Sequence, residues 1–136
     1  MSVMQGFLRN DGRKGIRNVL AVAYLVECAH HVAREIALPW RENEVHAIGF
    51  PGCYPNAYAE RMMEQLCTHP NVGAVLLISL GCESFNKYAL ERAVRATGRP
   101  VKTIVIMPLM RWLWLAAKQV ICKNCLNGIV TIETTI

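Results

Sequence analysis

The chain has 136 residues, 53% hydrophobic and 18% charged, with 15 Lys and Arg against 10 Asp and Glu for a formal charge of +5. That size and balance describe one soluble globular domain with a proper core. No stretch of about 18 or more uncharged apolar residues is available to cross a membrane, the first residues lack a signal-peptide layout, and no basic run with interleaved aromatics favours nucleic acid. The chain therefore reads as cytoplasmic, with neither membrane nor nucleic acid as partner, and its positive charge suits a small acidic substrate. In a reducing compartment, metal binding or catalysis explains clustered cysteines better than a disulfide framework does.

Residues 1–18 form a polar opening whose dense segment is Arg9-Asn-Asp-Gly-Arg-Lys-Gly-Ile-Arg17-Asn18. Its Asp-Gly and Lys-Gly pairs mark turns, and four cations within nine residues read either as a solvated basic loop or as a carboxylate-binding surface. Val19 to Glu27 reads as a strand ending at Cys28, and Ala29 to Leu38 as a helix with Val32, Ala33, Ile36 and Ala37 on one face, stopped by Pro39. Val45 to Phe50 is a second strand leading into Cys53. Asn56 to Thr68 is a second helix, with Met62, Met63 and Leu66 as its buried stripe and Cys67 as core. After the His69-Pro70-Asn71 turn, the continuous apolar run Val75 to Leu80 reads as a strand covered on both faces, followed by Gly81, Cys82 and a helix over Glu83 to Ala96. Val101 to Met107 is a fourth strand after the Gly98-Arg99-Pro100 turn.

This alternation predicts an α/β fold: an open, mainly parallel sheet of about four strands with flanking helices, Rossmann-like or flavodoxin-like in three layers. Residues 1–106 form that domain. Residues 107–136 are an atypical tail, with a helix over 109–122 and a β-branched strand over 129–136. Cys122 and Cys125 have the spacing of a zinc half-site, but no second pair completes four ligands, so a structural role is expected.

Cys28, Cys53 and Cys82 each follow an apolar run and precede a helix. Parallel strands end on one edge, where open α/β sheets bind ligands, and a nearby helix N-terminus lowers a thiol pKa. One such cysteine alone is best read as core; three at equivalent places read as a shared metal or cluster site. His30 and His31 stand at the first helix start, where one can face that site or merely occupy the surface. His46 reads as a strand-edge residue and His69 as a turn residue.

The segments GFLRNDGRKGIRN and HPNVGAVLLISLGCE, with the strand-Cys-helix between them, resemble the altronate and galactarate dehydratase family of sugar-acid hydro-lyases, whose relatives include the large subunit of sulfolactate sulfo-lyase. The resemblance covers Gly6 to Ile106. It implies metal-assisted elimination of water from an aldonate or aldarate to a 2-keto-3-deoxy acid, with iron (Fe2+ or an iron-sulfur cluster) or another divalent metal as cofactor. Carried onto matching positions, it makes Arg9, Asp11, Arg13, Arg17 and Asn18 a substrate-binding loop, with Arg13 and Arg17 as carboxylate clamps. Cys28, Cys53 and Cys82 become metal ligands and Glu83 a ligand, proton carrier or orienting group, while His30, from its place at the helix start and not from the resemblance, is a further candidate for handling a proton.

The chain also departs from the pattern. Family members continue well past the fourth strand, the second cysteine has a Gly-Cys-Gly context where this chain has Gly52-Cys53-Tyr54, and a small His-bearing front domain is missing. These departures suggest a truncated large subunit with an aberrant tail, working with a separate small subunit or as a homo-oligomer. Two other classes remain open: a non-catalytic module binding an anion or a subunit, and a thiol redox domain using Cys122 and Cys125.

Overall fold

The computed structural model describes residues 4–106 and, as backbone, Glu133–Thr135. The main sheet has four strands: β3 (Val19–Tyr24), β4 (Val45–Gly49), β5 (Val72–Ser79) and β6 (Val101–Val105). All are parallel, in the order β4-β3-β5-β6. They are preceded by β1 (Gln5–Leu8) and β2 (Lys14–Gly15), which form a small antiparallel sheet with β7 (Glu133–Thr135). Three helices connect the parallel strands: α1 (His30–Ala37), α2 (Ala57–Cys67) and α3 (Lys87–Ala96).

The strand period of two divides the core. Leu20, Val22, Ala74, Leu76 and Ile78 point to one face, where α1 packs Ala33, Ile36 and Ala37 at helical spacing. Ala21, Ala23, Val75 and Leu77 point to the other, against Met63 and Cys67 of α2 and Leu90 and Val94 of α3. Each fully buried aliphatic side chain contributes about 1.5–3 kcal/mol, so both faces hold the sheet. The layered arrangement expected from the strand-helix alternation is present. Its order matches the first four strands of a flavodoxin-like sheet, with β3 first in the chain and second in space.

Differences from the sequence reading have local causes. The opening is not only loop: β1 pairs with β2 and with residues 133–135, and non-local antiparallel pairing of such short strands leaves no periodicity to read. The third helix starts at Lys87 and not at Glu83, because the Asn86 side chain accepts from the Ala89 N–H at 3.1 Å and caps it there. The first strand ends at Tyr24, and a short 3₁₀ turn, Glu27–Ala29, carries the chain into α1. The expected 109–122 helix and the Cys122/Cys125 pair lie outside the described residues; of the 129–136 strand, only β7 is described.

Candidate functional site

The chain runs from β3 to β4 on one side, then passes behind β3 to reach β5 on the other. The winding reverses between β3 and β5, and a crevice outside the carboxyl ends of those strands is where such sheets bind ligands. Tyr24 of β3 lies beside Gly49 of β4 and Ile78 of β5 in one row across the sheet. Cys28, Cys53 and Cys82 each stand four residues beyond their member of that row. All three are exposed and reduced. The structure thus brings the three cysteines to one edge, around the reversal point.

Their local settings differ from a common helix-terminus site. Cys28 is in the 3₁₀ turn before α1, while Cys53 and Cys82 precede the first residues of α2 and α3 by four and five positions. Among the described residues no three His, Cys, Asp or Glu side chains stand close enough to hold one metal ion. The thiols have the soft donor chemistry that iron or zinc takes. As placed, however, they do not form a closed ligand set.

Glu83 is the most constrained group on this edge. Its carboxylate accepts from the hydroxyl of buried Ser79, the last residue of β5, and from the Gly81 N–H at 2.7 Å. Burial by itself raises its pKa. The bonds from Ser79, Gly81 and its own N–H, with the charge of Lys87, outweigh burial and hold it below the ordinary value. Glu83 is therefore ionised at neutral pH and has a fixed direction.

Beyond the end of the neighbouring β3, the His30 ring stacks on Tyr24 with centroids 4.6 Å apart, and its Nδ1 lies 3.3 Å from Glu27. Tyr24 reaches that position because Gly49 has no side chain: a Cβ there would overlap the Tyr24 ring. A groove of about 470 Å³ runs beside this pair, lined by Cys28, His30, His31 and Arg34 among others.

The basic loop is elsewhere. Arg9 donates through Nε to the Pro70 carbonyl at 2.6 Å, through Nη1 to Asn18 at 2.9 Å and through Nη2 to the Arg17 carbonyl at 2.8 Å. Asp11 accepts from the Arg13 backbone N–H at 3.1 Å, from its guanidinium at 2.8 Å and from Arg99 at 3.2 Å. The Arg13 hydrogen bond is the largest cause that lowers the Asp11 pKa to about 2, and Arg99 adds to it. Arg13 also donates to the Thr68 carbonyl, and Arg17 pairs with Glu44. Every one of these contacts lies where β3, β4, β5 or β6 begins. The loop and the cysteines are separated by the length of β5, whose eight residues span seven steps of about 3.3 Å, roughly 23 Å. The structure does not bring the arginine clamps and the strand-end cysteines to one substrate, as the sequence reading grouped them.

Sequence reasoning passed over Arg99, Ser79 and Tyr24. Arg99 is 5% exposed and ties Asp11 to the Val72 and His69 carbonyls, yet it was read only as part of a turn. Ser79 had a usable signal: it is the one polar residue in the Val75 to Leu80 run, which is therefore not continuously apolar.

An open parallel sheet with helices on both faces defines the class: a doubly wound α/β domain. The particular family follows from comparison with known proteins: residues 6–120 match D-galactarate dehydratase/Altronate hydrolase, second domain, and the chain belongs to that family. It is similar to the altronate dehydratase of Escherichia coli (strain K12), 30% identical over 94 residues, covering 60% of this chain and 19% of that protein. The chain thus spans about a fifth of that relative's length. No solved structure matches.

Proposed function

We propose that this chain supplies the α/β site of a sugar-acid hydro-lyase that removes water from an aldonate or aldarate to give a 2-keto-3-deoxy acid. The observation that carries the reading is the fixed, ionised Glu83 beside Cys82 at the β3/β5 reversal point, in a chain of this family. In the elimination, the bond from hydrogen to the carboxylate-bearing carbon breaks and its electrons form a C=C bond. The neighbouring hydroxyl leaves as water, and the resulting enol rearranges to the ketone. Glu83 accepts the carbon-bound proton, and His30, held by Tyr24 and Glu27 on the adjacent strand's exit, delivers a proton to the departing hydroxyl.

Lys87, whose charge already acts on Glu83, offers the substrate carboxylate a cation on the same edge. Arg9, Asp11, Arg13, Arg17 and Asn18 hold the fold in this reading. In this reading iron or another divalent metal, and either a separate small subunit or a second copy, would complete such an enzyme.

The test is formation of 2-keto-3-deoxy acid from a panel containing altronate and galactarate, with Fe2+ supplied under anaerobic conditions. Product from the wild-type chain and its loss in Glu83→Gln are expected. A chain that neither binds nor converts any sugar acid overturns the reading.

A further inference from the structure

β4 is the outermost strand of the parallel sheet. Its ladder to β3 begins with the Leu20 N–H donating to the Glu44 carbonyl and ends with the Phe50 N–H donating to the Tyr24 carbonyl. Even-numbered residues of β4 therefore bond inward, and the backbone groups of Val45, Ala47 and Gly49 point outward. Among the described residues no strand pairs with that side. Sheet edges are ordinarily blunted by proline, a bulge or a covering element, because unpaired N–H and C=O groups are a template for another strand. Here the outer side opens instead onto a groove of about 160 Å³ lined by Arg34, Leu38, Arg41, Val45, His46 and Ala47.

The groove has a definite chemistry. Arg34 and Arg41 make no ion pair among the described residues, and the Leu38 side chain is largely exposed between them. His46 adds a ring 3.5 Å from the Arg17 guanidinium and 3.7 Å from the Glu44 carboxylate, so the unpaired charge of the groove is that of Arg34 and Arg41. A second copy of β4 brought against this edge would place these cations against their own counterparts. An extended segment with carboxylates beside a small apolar side chain satisfies the backbone, both arginines and Leu38 together.

We propose that the outer edge of β4 docks an extended acidic segment of a partner polypeptide, which adds to the sheet as a further strand. The choice of an acidic occupant rests on the two arginines that border this edge without an ion pair among the described residues. The proposal does not depend on the elimination chemistry: Arg34 and Leu38 also border the groove beside His30, but the free backbone groups of β4 face away from the β3/β5 crevice.

The probes are two synthetic octapeptides, one alternating Val and Glu and one alternating Val and Lys, mixed at millimolar concentration with the whole chain. Amide hydrogen exchange is read by NMR. The Val-Glu peptide is expected to slow exchange at Val45 and Ala47, and the Val-Lys peptide to leave them unchanged. Arg34→Glu with Arg41→Glu, both at exposed positions, should weaken the Val-Glu effect about tenfold, while unchanged protection of Val22 and Leu76 shows the fold intact. Equal protection by both peptides, no protection by the acidic one, or insensitivity to the two reversals overturns the proposal. So does protection of Val45 and Ala47 in the chain alone that rises with its concentration, since the occupant would then be a second copy.

Discussion

Replacing Asp11 with Asn asks whether the basic loop holds the fold or the substrate. In the native chain the Asp11 carboxyl is lowered from 3.8 to about 2 by the Arg13 hydrogen bonds and by Arg99. At about 1.36 kcal/mol per unit, a shift of that size corresponds at face value to roughly 2.4 kcal/mol. Arg13 is open to solvent, with 47% of its side chain exposed, so screening reduces the usable share to about 1 kcal/mol. The folded-state pKa is depressed, so the stabilisation is fully present above the unfolded value near 4 and is lost as pH falls through about 2. Urea unfolding should show Asp11→Asn less stable by about 1 kcal/mol at pH 7, with the gap to wild type closing between about pH 4 and pH 2. A gap that stays constant over that range refutes the electrostatic clasp. A variant of wild-type stability that instead loses sugar-acid binding returns the loop to the substrate.

Gly15→Ala should cost about 1–3 kcal/mol in urea unfolding, because a Cβ there would overlap the Pro70 carbonyl and force apart the loop and the turn before β5. Burial pushes the Cys67 thiol up to about 12, whereas Cys28, Cys53 and Cys82 are exposed. Maleimide labelling followed by mass spectrometry should therefore modify those three well before Cys67 in the native chain, and together with it only in denaturant. Glu83→Gln should reduce turnover about 10²- to 10⁴-fold, far beyond the modest loss of stability expected from weakening the bonds from Ser79 and Gly81. Loss of stability without a specific loss of turnover would make the Ser79–Glu83 contact structural.

The sheet was legible because its physics is local. The Val75 to Leu80 run could only be a strand covered on both faces, and β5 is buried along nearly its whole length. The strand-end placement of Cys28, Cys53 and Cys82 was legible for the same reason, since a strand's carboxyl end is fixed once the strand is. What periodicity could not supply was strand order, and with it the reversal between β3 and β5 that singles out one crevice.

The role of the basic loop was not legible because Arg and Asp serve substrate carboxylates and backbone carbonyls by the same hydrogen bonds. Arg9 satisfies the Pro70 and Arg17 carbonyls, and nothing in its neighbours' sequence announces that. Arg99 was illegible for a related reason. Its partner Asp11 lies 88 residues away, and only the fold brings a buried guanidinium onto it.

The central claim is that sugar acid binds at the carboxyl edge of the sheet, at the β3/β5 reversal. Titrating altronate or galactarate into isotopically labelled chain and following backbone amide shifts tests it most directly. The account predicts perturbations at Cys28, His30, Cys82, Glu83 and Lys87, with Arg13 and Arg17 unmoved. Perturbations confined to Arg9 through Asn18, at the opposite edge, would contradict it.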